Sequence, residues 1–103
     1  MASRTDANQR QIVGALRQAG FSVCLLSAAG RGGVPGCPDL VCGGRGTNWL
    51  IEVKAPGGKL TPDQVKWHAE WRGQVAIVRS IDDALRVVGV LPEREYSHHD
   101  QEG

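Results

Sequence analysis

Three residues carry most of the chemical signal in this 103-residue sequence: Asp39, Glu52 and Lys54. They lie in "PDLVC" and "NWLIEVK", apolar runs that otherwise read as strand core. A carboxylate buried without a partner is costly, so this placement calls for a compensating group. If residues 39–42 and 49–54 pair as a hairpin across a loop at 43–48, symmetric pairing sets Cys42 against Trp49, Val41 against Leu50, Leu40 against Ile51, and Asp39 against Glu52. Directly opposed Cβ atoms are ~5 Å apart, and like charges there repel. Strand alternation adds Lys54 to the same face and turns Val53 away. In the plainer reading, Lys54 neutralises one carboxylate and the other points to water. A hard divalent cation explains the pattern better. Mg²⁺ takes carboxylate and carbonyl oxygens at ~2.0–2.1 Å, and its charge removes the repulsion. No His or Cys joins the cluster with clear ligand spacing, which favours Mg²⁺ or Mn²⁺ over zinc.

The elements that must position these groups follow from periodicity and capping signals. Asp6, with Gln9 three residues on, reads as a capping box for a first helix carrying Ile12, Val13, Leu16 and Ala19, stopped by Gly20. Residues 21–26, "FSVCLL", read as a strand. Gly30, Arg31, Gly32 and Gly33 then form a basic glycine-rich loop, either a plain connector or a contact for a phosphate backbone. After the hairpin comes a second glycine-rich loop, "APGGKL". Thr61, Pro62 and Gln64 spell the start of a helix, with a T-x-x-Q capping box and proline at its first position. That helix runs to about Trp71, with Gly73 as its stop. "QVAIVRS" is a fourth strand. Ser80 caps a last helix, ended by Gly89. The order is α-β-β-β-α-β-α, which implies an α/β fold with a mixed sheet flanked by helices.

Length and composition set the outer bounds. The chain suits one domain, expected over residues 1–91, with a polar, flexible tail at 92–103. Hydrophobic residues make up 41% of it, enough for one modest core. No apolar run approaches the ~20 residues of a membrane span, and the polar N-terminus does not read as a signal peptide. A cytoplasmic protein is expected. Three cysteines without a CxxC argue against a disulfide framework or structural zinc; Cys24 and Cys42 read as core residues. The net charge of +1 gives no global signature of nucleic-acid binding, so any such binding depends on local clusters.

"PD", twelve residues, then "EVK" resembles the motif of the PD-(D/E)XK nucleases. "GVPGCPDLV", "IEVKAPGGKLTPDQ" and "WRGQVAIVRSIDDAL" together resemble the VRR-NUC branch of that superfamily, particularly small stand-alone phage and prophage proteins. The similarity covers most of residues 6–89. It implies a restriction-endonuclease-like α-β-β-β-α-β core and a metal-dependent nuclease, with DNA as substrate and a bacterial or phage-infected cell as setting. By the same resemblance Asp39, Glu52 and the Val53 carbonyl ligate Mg²⁺ or Mn²⁺, and Lys54 positions or activates the attacking water. An unperturbed lysine is charged at neutral pH, with a pKa of ~10.4, so an orienting and charge-stabilising role is favoured for Lys54. Hydrolysis would leave a 5′-phosphate. Gln64 matches an active-site glutamine of the branch, and its capping role remains an equal reading. Lys59 and Arg31 are candidate phosphate contacts. Some stand-alone relatives are dimeric, which implies a homodimer here.

In one respect the sequence departs from this pattern. Relatives carry an acid in the first helix near the metal, and Gln11 stands where it is expected. That leaves three alternatives: a natural variant, an engineered inactive form, or a degenerate member that keeps the nuclease fold and binds nucleic acid without cutting. If Gln11 lies in the metal shell, Gln11→Glu should tighten metal binding. Trp67 and Trp71, one helical turn apart, read as core or interface packing rather than base stacking. His68 reads as a surface or packing residue. His98 and His99 fall in the tail. A small-molecule phosphoesterase would suit the metal site but not the two glycine-rich loops.

Overall fold

The structure is a computed structural model that describes residues 4–26 and 34–93. The loop containing Gly30, Arg31, Gly32 and Gly33, the tail beyond residue 93, and His98 and His99 lie outside the described residues. In chain order the elements are α1 (Arg4–Gln18), β1 (Ser22–Leu25), β2 (Leu40–Gly44), β3 (Thr47–Val53), α2 (Pro62–Glu70), β4 (Val75–Val78) and α3 (Ile81–Val87). This is the α/β order expected from the sequence. The sheet runs β1-β2-β3-β4. Its first two pairings are antiparallel, and β3–β4 is parallel, joined through α2 as a βαβ unit.

Helix ends follow their local chemistry. Gly20, at φ +99, closes α1: its own N–H bonds Arg17 O and the Phe21 N–H bonds Leu16 O. Gly89, at φ +86, closes α3 in the same way through Arg86 O and Leu85 O. Both are Schellman motifs, in which glycine takes the left-handed position without a Cβ penalty. Ser80 caps α3, its hydroxyl accepting from the Asp83 N–H. Two boundaries differ from the sequence reading. Helix α1 already spans Asp6, so Asp6 lies in its first turn rather than at its cap. Helix α2 ends at Glu70 with Trp71 as an extended C-cap residue, so the chain has left the helix before Gly73.

The β2–β3 register is the expected one: Leu40 opposite Ile51, Val41 opposite Leu50 and Cys42 opposite Trp49. The ladder also continues through Gly43–Asn48 and Gly44–Thr47, so the connection is a two-residue turn rather than a six-residue loop. Arg45 and Gly46 both have positive φ, 55° and 76°, as the favoured hairpin turns with two left-handed residues require. The strained Arg45 is compensated by its guanidinium, 5.3 Å from the centre of the Phe21 ring. A Cβ on Gly44 would collide with that same ring.

Alternation divides the sheet into two unlike faces. Leu40, Cys42, Ile51, Val53 and Val78 point to one face and are buried against Ile12, Val13 and Leu16 of α1 and Ala84 and Val88 of α3. Burying side chains of this size contributes about 1.5–3 kcal/mol each, so this face is the core. Burial pushes the Cys42 thiol above its usual pKa. Cys24, expected in the core, is exposed, because β1 pairs it with Val41 on the other face. That other face carries Val41, Leu50, Glu52 and Ile77 and is the one α2 approaches. No residue of α2 is buried. Trp67 stacks on Trp71 with ring centres 4.7 Å apart, but Trp71 remains 42% exposed. The tryptophans are therefore not core. Among the described residues no helix is long and apolar enough to cross a membrane.

Candidate active site

The site forms where β2 begins and β3 ends. "VPGC" is a type II turn: the Cys37 N–H bonds Val34 O at 3.2 Å, Pro35 takes the first central position, and Gly36 takes the second at φ +88. Gly36 also lies against the first turn of α2, where a Cβ would collide with the Asp63 carbonyl. Pro38 is buried, and the turn delivers Asp39 to the open end of the hairpin. There the Asp39 carbonyl accepts from the Leu26 N–H at 2.8 Å, and its Oδ2 accepts from the Val53 N–H at 2.7 Å. We expect Gly36→Ala to lower stability by at least ~2 kcal/mol, since both the left-handed φ and the collision act against it. That corresponds to a fall of roughly 10 °C or more in Tm, read by thermal denaturation.

Glu52 is 1% exposed and is a buried charged residue on the sheet. Its carboxyl pKa is pushed up to about 8, first by burial, then by the charge of Asp39 and the hydrogen bond between the two carboxyl groups; Lys54 acts the other way. The Lys54 ammonium is 4.0 Å from Glu52 Oε2, and that contact does not offset burial and repulsion together. Without a cation these effects favour the protonated form of the pair. Asp39 and Glu52 do meet, as the register required.

Gln64 caps its helix and also contacts Glu52. Its Oε1 accepts from the Thr61 N–H at 2.8 Å, while its own backbone N–H bonds Thr61 Oγ1 at 3.2 Å, completing the capping box. Because the amide oxygen is committed to the cap, the amide nitrogen must be the group facing Glu52, and it donates to Oε2 at 3.0 Å. The helix cap thus orients the amide that grips the carboxylate. Lys59 is exposed on the loop before α2, and Arg31 lies outside the described residues.

Gln11 is not part of this constellation. Helix α1 buries its stripe on the core face, opposite the face that carries Glu52, and Gln11 itself is exposed. We expect Gln11→Glu to leave divalent-ion affinity unchanged; a tightened metal titration would contradict this placement. The α1 side chain that does reach the site strand is Asn8, which sequence reading missed. Its Nδ2 donates to the carbonyls of Lys54 and Arg79, both at 3.0 Å. Arg79 in turn donates to Gly58 O at 2.7 Å, tethering the second glycine-rich loop. His68 was also missed. Its Nε2 is 3.9 Å from Glu52 Oε1, and burial, then the positive charge of Lys54, hold its pKa below the usual histidine value. The available signal was its position four residues after Gln64.

The donor set fits a hard divalent cation. Glu52 Oε1 is buried without a hydrogen-bond partner, beside a second carboxylate, which is what a cation would satisfy. The Val53 carbonyl leaves the strand on the same side as its N–H, toward Asp39. Among the described residues no group of three or more His, Cys, Asp or Glu is placed to hold a metal.

Comparison with known proteins agrees with this architecture. A family model for the VRR-NUC domain matches residues 2–82, and the chain belongs to that family, which has a nuclease-type fold. A solved structure described as "VRR_NUC domain" superposes with a TM-score of 0.67 at 28% identity, covering 84% of this chain and 96% of that one. No curated protein matches the chain.

Proposed function

We propose that this protein is a metal-dependent nuclease that hydrolyses DNA phosphodiester bonds, with branched DNA as a candidate substrate. The observation that carries the reading is the buried Glu52, with an unpartnered oxygen, in contact with Asp39. Asp39, Glu52 and the Val53 carbonyl would hold Mg²⁺ or Mn²⁺. When bound, such an ion supplies Lewis acidity: it eases deprotonation of water and offsets negative charge growing on the phosphate. Gln64 fixes the Glu52 carboxylate through Oε2. Lys54, half-buried at the strand end, orients water and phosphate oxygen through its ammonium. Lys59 adds a phosphate contact from the neighbouring loop.

One chain offers one such site, so cutting two strands calls for a two-fold dimer. Val65, Trp71 and Ile77, exposed at 53%, 42% and 36%, offer apolar surface for one. A cytoplasmic setting in a bacterial or phage-infected cell completes the proposal. A second reading, a DNA-binding module that retains the fold without cutting, is favoured by the lack of a third acidic ligand among the described residues.

The deciding experiment is incubation of linear, nicked, flapped and four-way DNAs with Mg²⁺ or Mn²⁺. Cleavage abolished by EDTA supports the nuclease. Retention of DNA without cleavage in either ion supports the binding module.

A further inference from the structure

Glu52 Oε1 and His68 Nε2 are both shielded from solvent, and neither has a hydrogen-bond partner. They stand 3.9 Å apart, beyond hydrogen-bond reach, so they do not satisfy each other. Buried polar atoms are nearly always satisfied, and an exception points to a missing ion or water. The placement is built by α2. Gln64 and His68 are four residues apart and so project from one helix face. Gln64 occupies Oε2 of the carboxylate, and Lys54 approaches that same oxygen. Oε1 is left to the histidine side. The imidazole packs edge-on to Trp67, ring centres 5.7 Å apart, and the side chain is only 13% exposed.

We propose that His68 Nε2 is a nitrogen ligand of the divalent cation bound by Glu52, so that the site selects Mn²⁺ over Mg²⁺. This inference rests on the metal-dependent reading above and adds to it one residue and a choice of ion. The spacing allows it. Adjacent ligands of one octahedral ion with bonds of about 2.0–2.2 Å stand roughly 3 Å apart, so the 3.9 Å gap would close by under an ångström of side-chain rotation on binding. The chemistry suits it as well. Imidazole is a ligand for transition-metal ions, whereas Mg²⁺ prefers carboxylate, carbonyl and water oxygens. Three His, Cys, Asp or Glu side chains do not converge among the described residues, so the ion would sit between Glu52 and His68, with Asp39 contributing its charge from beside Glu52 rather than a third side-chain bond.

The test is pulsed EPR of Mn²⁺ bound to the untagged protein carrying ¹⁵N-labelled histidine, without DNA. The expected result is a histidine nitrogen coupling in the parent that is absent from His68→Gln. Calorimetry should also show the Mn²⁺-over-Mg²⁺ preference falling about tenfold or more in that variant. His68→Asn supplies the same comparison if His68→Gln does not fold. Bound Mn²⁺ without histidine coupling, or with a coupling that survives in the variant, overturns the inference and leaves the metal-dependent reading standing; a bridging water between the two side chains would give the first of these. No bound Mn²⁺, or equal binding by Glu52→Gln, overturns both.

Discussion

Asp39→Asn and Glu52→Gln are each expected to lower metal-dependent cleavage by roughly a hundredfold to a thousandfold, about 3–4 kcal/mol of transition-state stabilisation. Each substitution removes one negative charge from a pair that has few other protein oxygens to call on. Neither should unfold the protein. An asparagine oxygen at 39 can still accept the Val53 N–H that Asp39 Oδ2 accepts at 2.7 Å. A glutamine oxygen at 52 can still accept from Gln64, which donates to Glu52 Oε2 at 3.0 Å. Both substitutions also relieve the burial and charge effects that raise the Glu52 pKa, so the metal-free variants should be as stable as the parent or more so. DNA retention, measured by gel shift in Ca²⁺ or EDTA, should persist. Cleavage at the parent rate by either variant would remove Asp39 and Glu52 from the chemistry. Loss of DNA retention together with cleavage would instead assign the pair to substrate binding.

The sequence made the carboxylate pair legible because two constraints agreed. The turn residues limited the hairpin to few registers, and only one placed Leu40 opposite Ile51 with both facing the core. The turn itself was tighter than read, since "GGRGTN" leaves several central pairs open and only the structure selects Arg45 and Gly46. Which helix faces the carboxylates was not legible. Both sheet faces carry apolar residues: Leu40 and Ile51 on one, Val41 and Leu50 on the other. The stripe of α1 therefore specifies that it packs on the sheet but not on which side, so the place of Gln11 relative to the carboxylates was not legible. For α2 the difficulty was the reverse. It buries no residue, so periodicity gave its orientation no sign. What turns it toward Glu52 is the polar Gln64 amide, and His68 becomes visible only once that contact is known. The close approach of Gly36 to Asp63 was equally hidden, because a non-local backbone contact leaves no local pattern.

The raised pKa of Glu52 makes stability depend on pH in a direction opposite to that of most paired carboxylates. The group titrates near 4.5 when unfolded and at about 8 in the metal-free fold. Between those values the native state holds a proton that the unfolded state has released, so this contribution to stability falls as pH rises from about 4.5 to 8 and is level above. Other groups titrate over the same range, and Glu52→Gln isolates the one of interest. We expect the Tm of the parent minus that of Glu52→Gln, measured in EDTA, to decline steadily from pH 5 to 8 by several degrees or more. Mg²⁺ should reverse the decline, because a cation binds the ionised pair and competes with the proton. At a free concentration of 100 times Kd, binding adds about 2.7 kcal/mol to the native state, enough to raise Tm visibly at pH 8. At pH 5 the proton already occupies the pair and the ion should add little. Glu52→Gln should show neither the slope nor the rescue. A Tm difference that is flat across this range would mean that Glu52 is ionised in the free protein, with Lys54 neutralising it. An equal Mg²⁺ effect in both proteins would place the ion elsewhere.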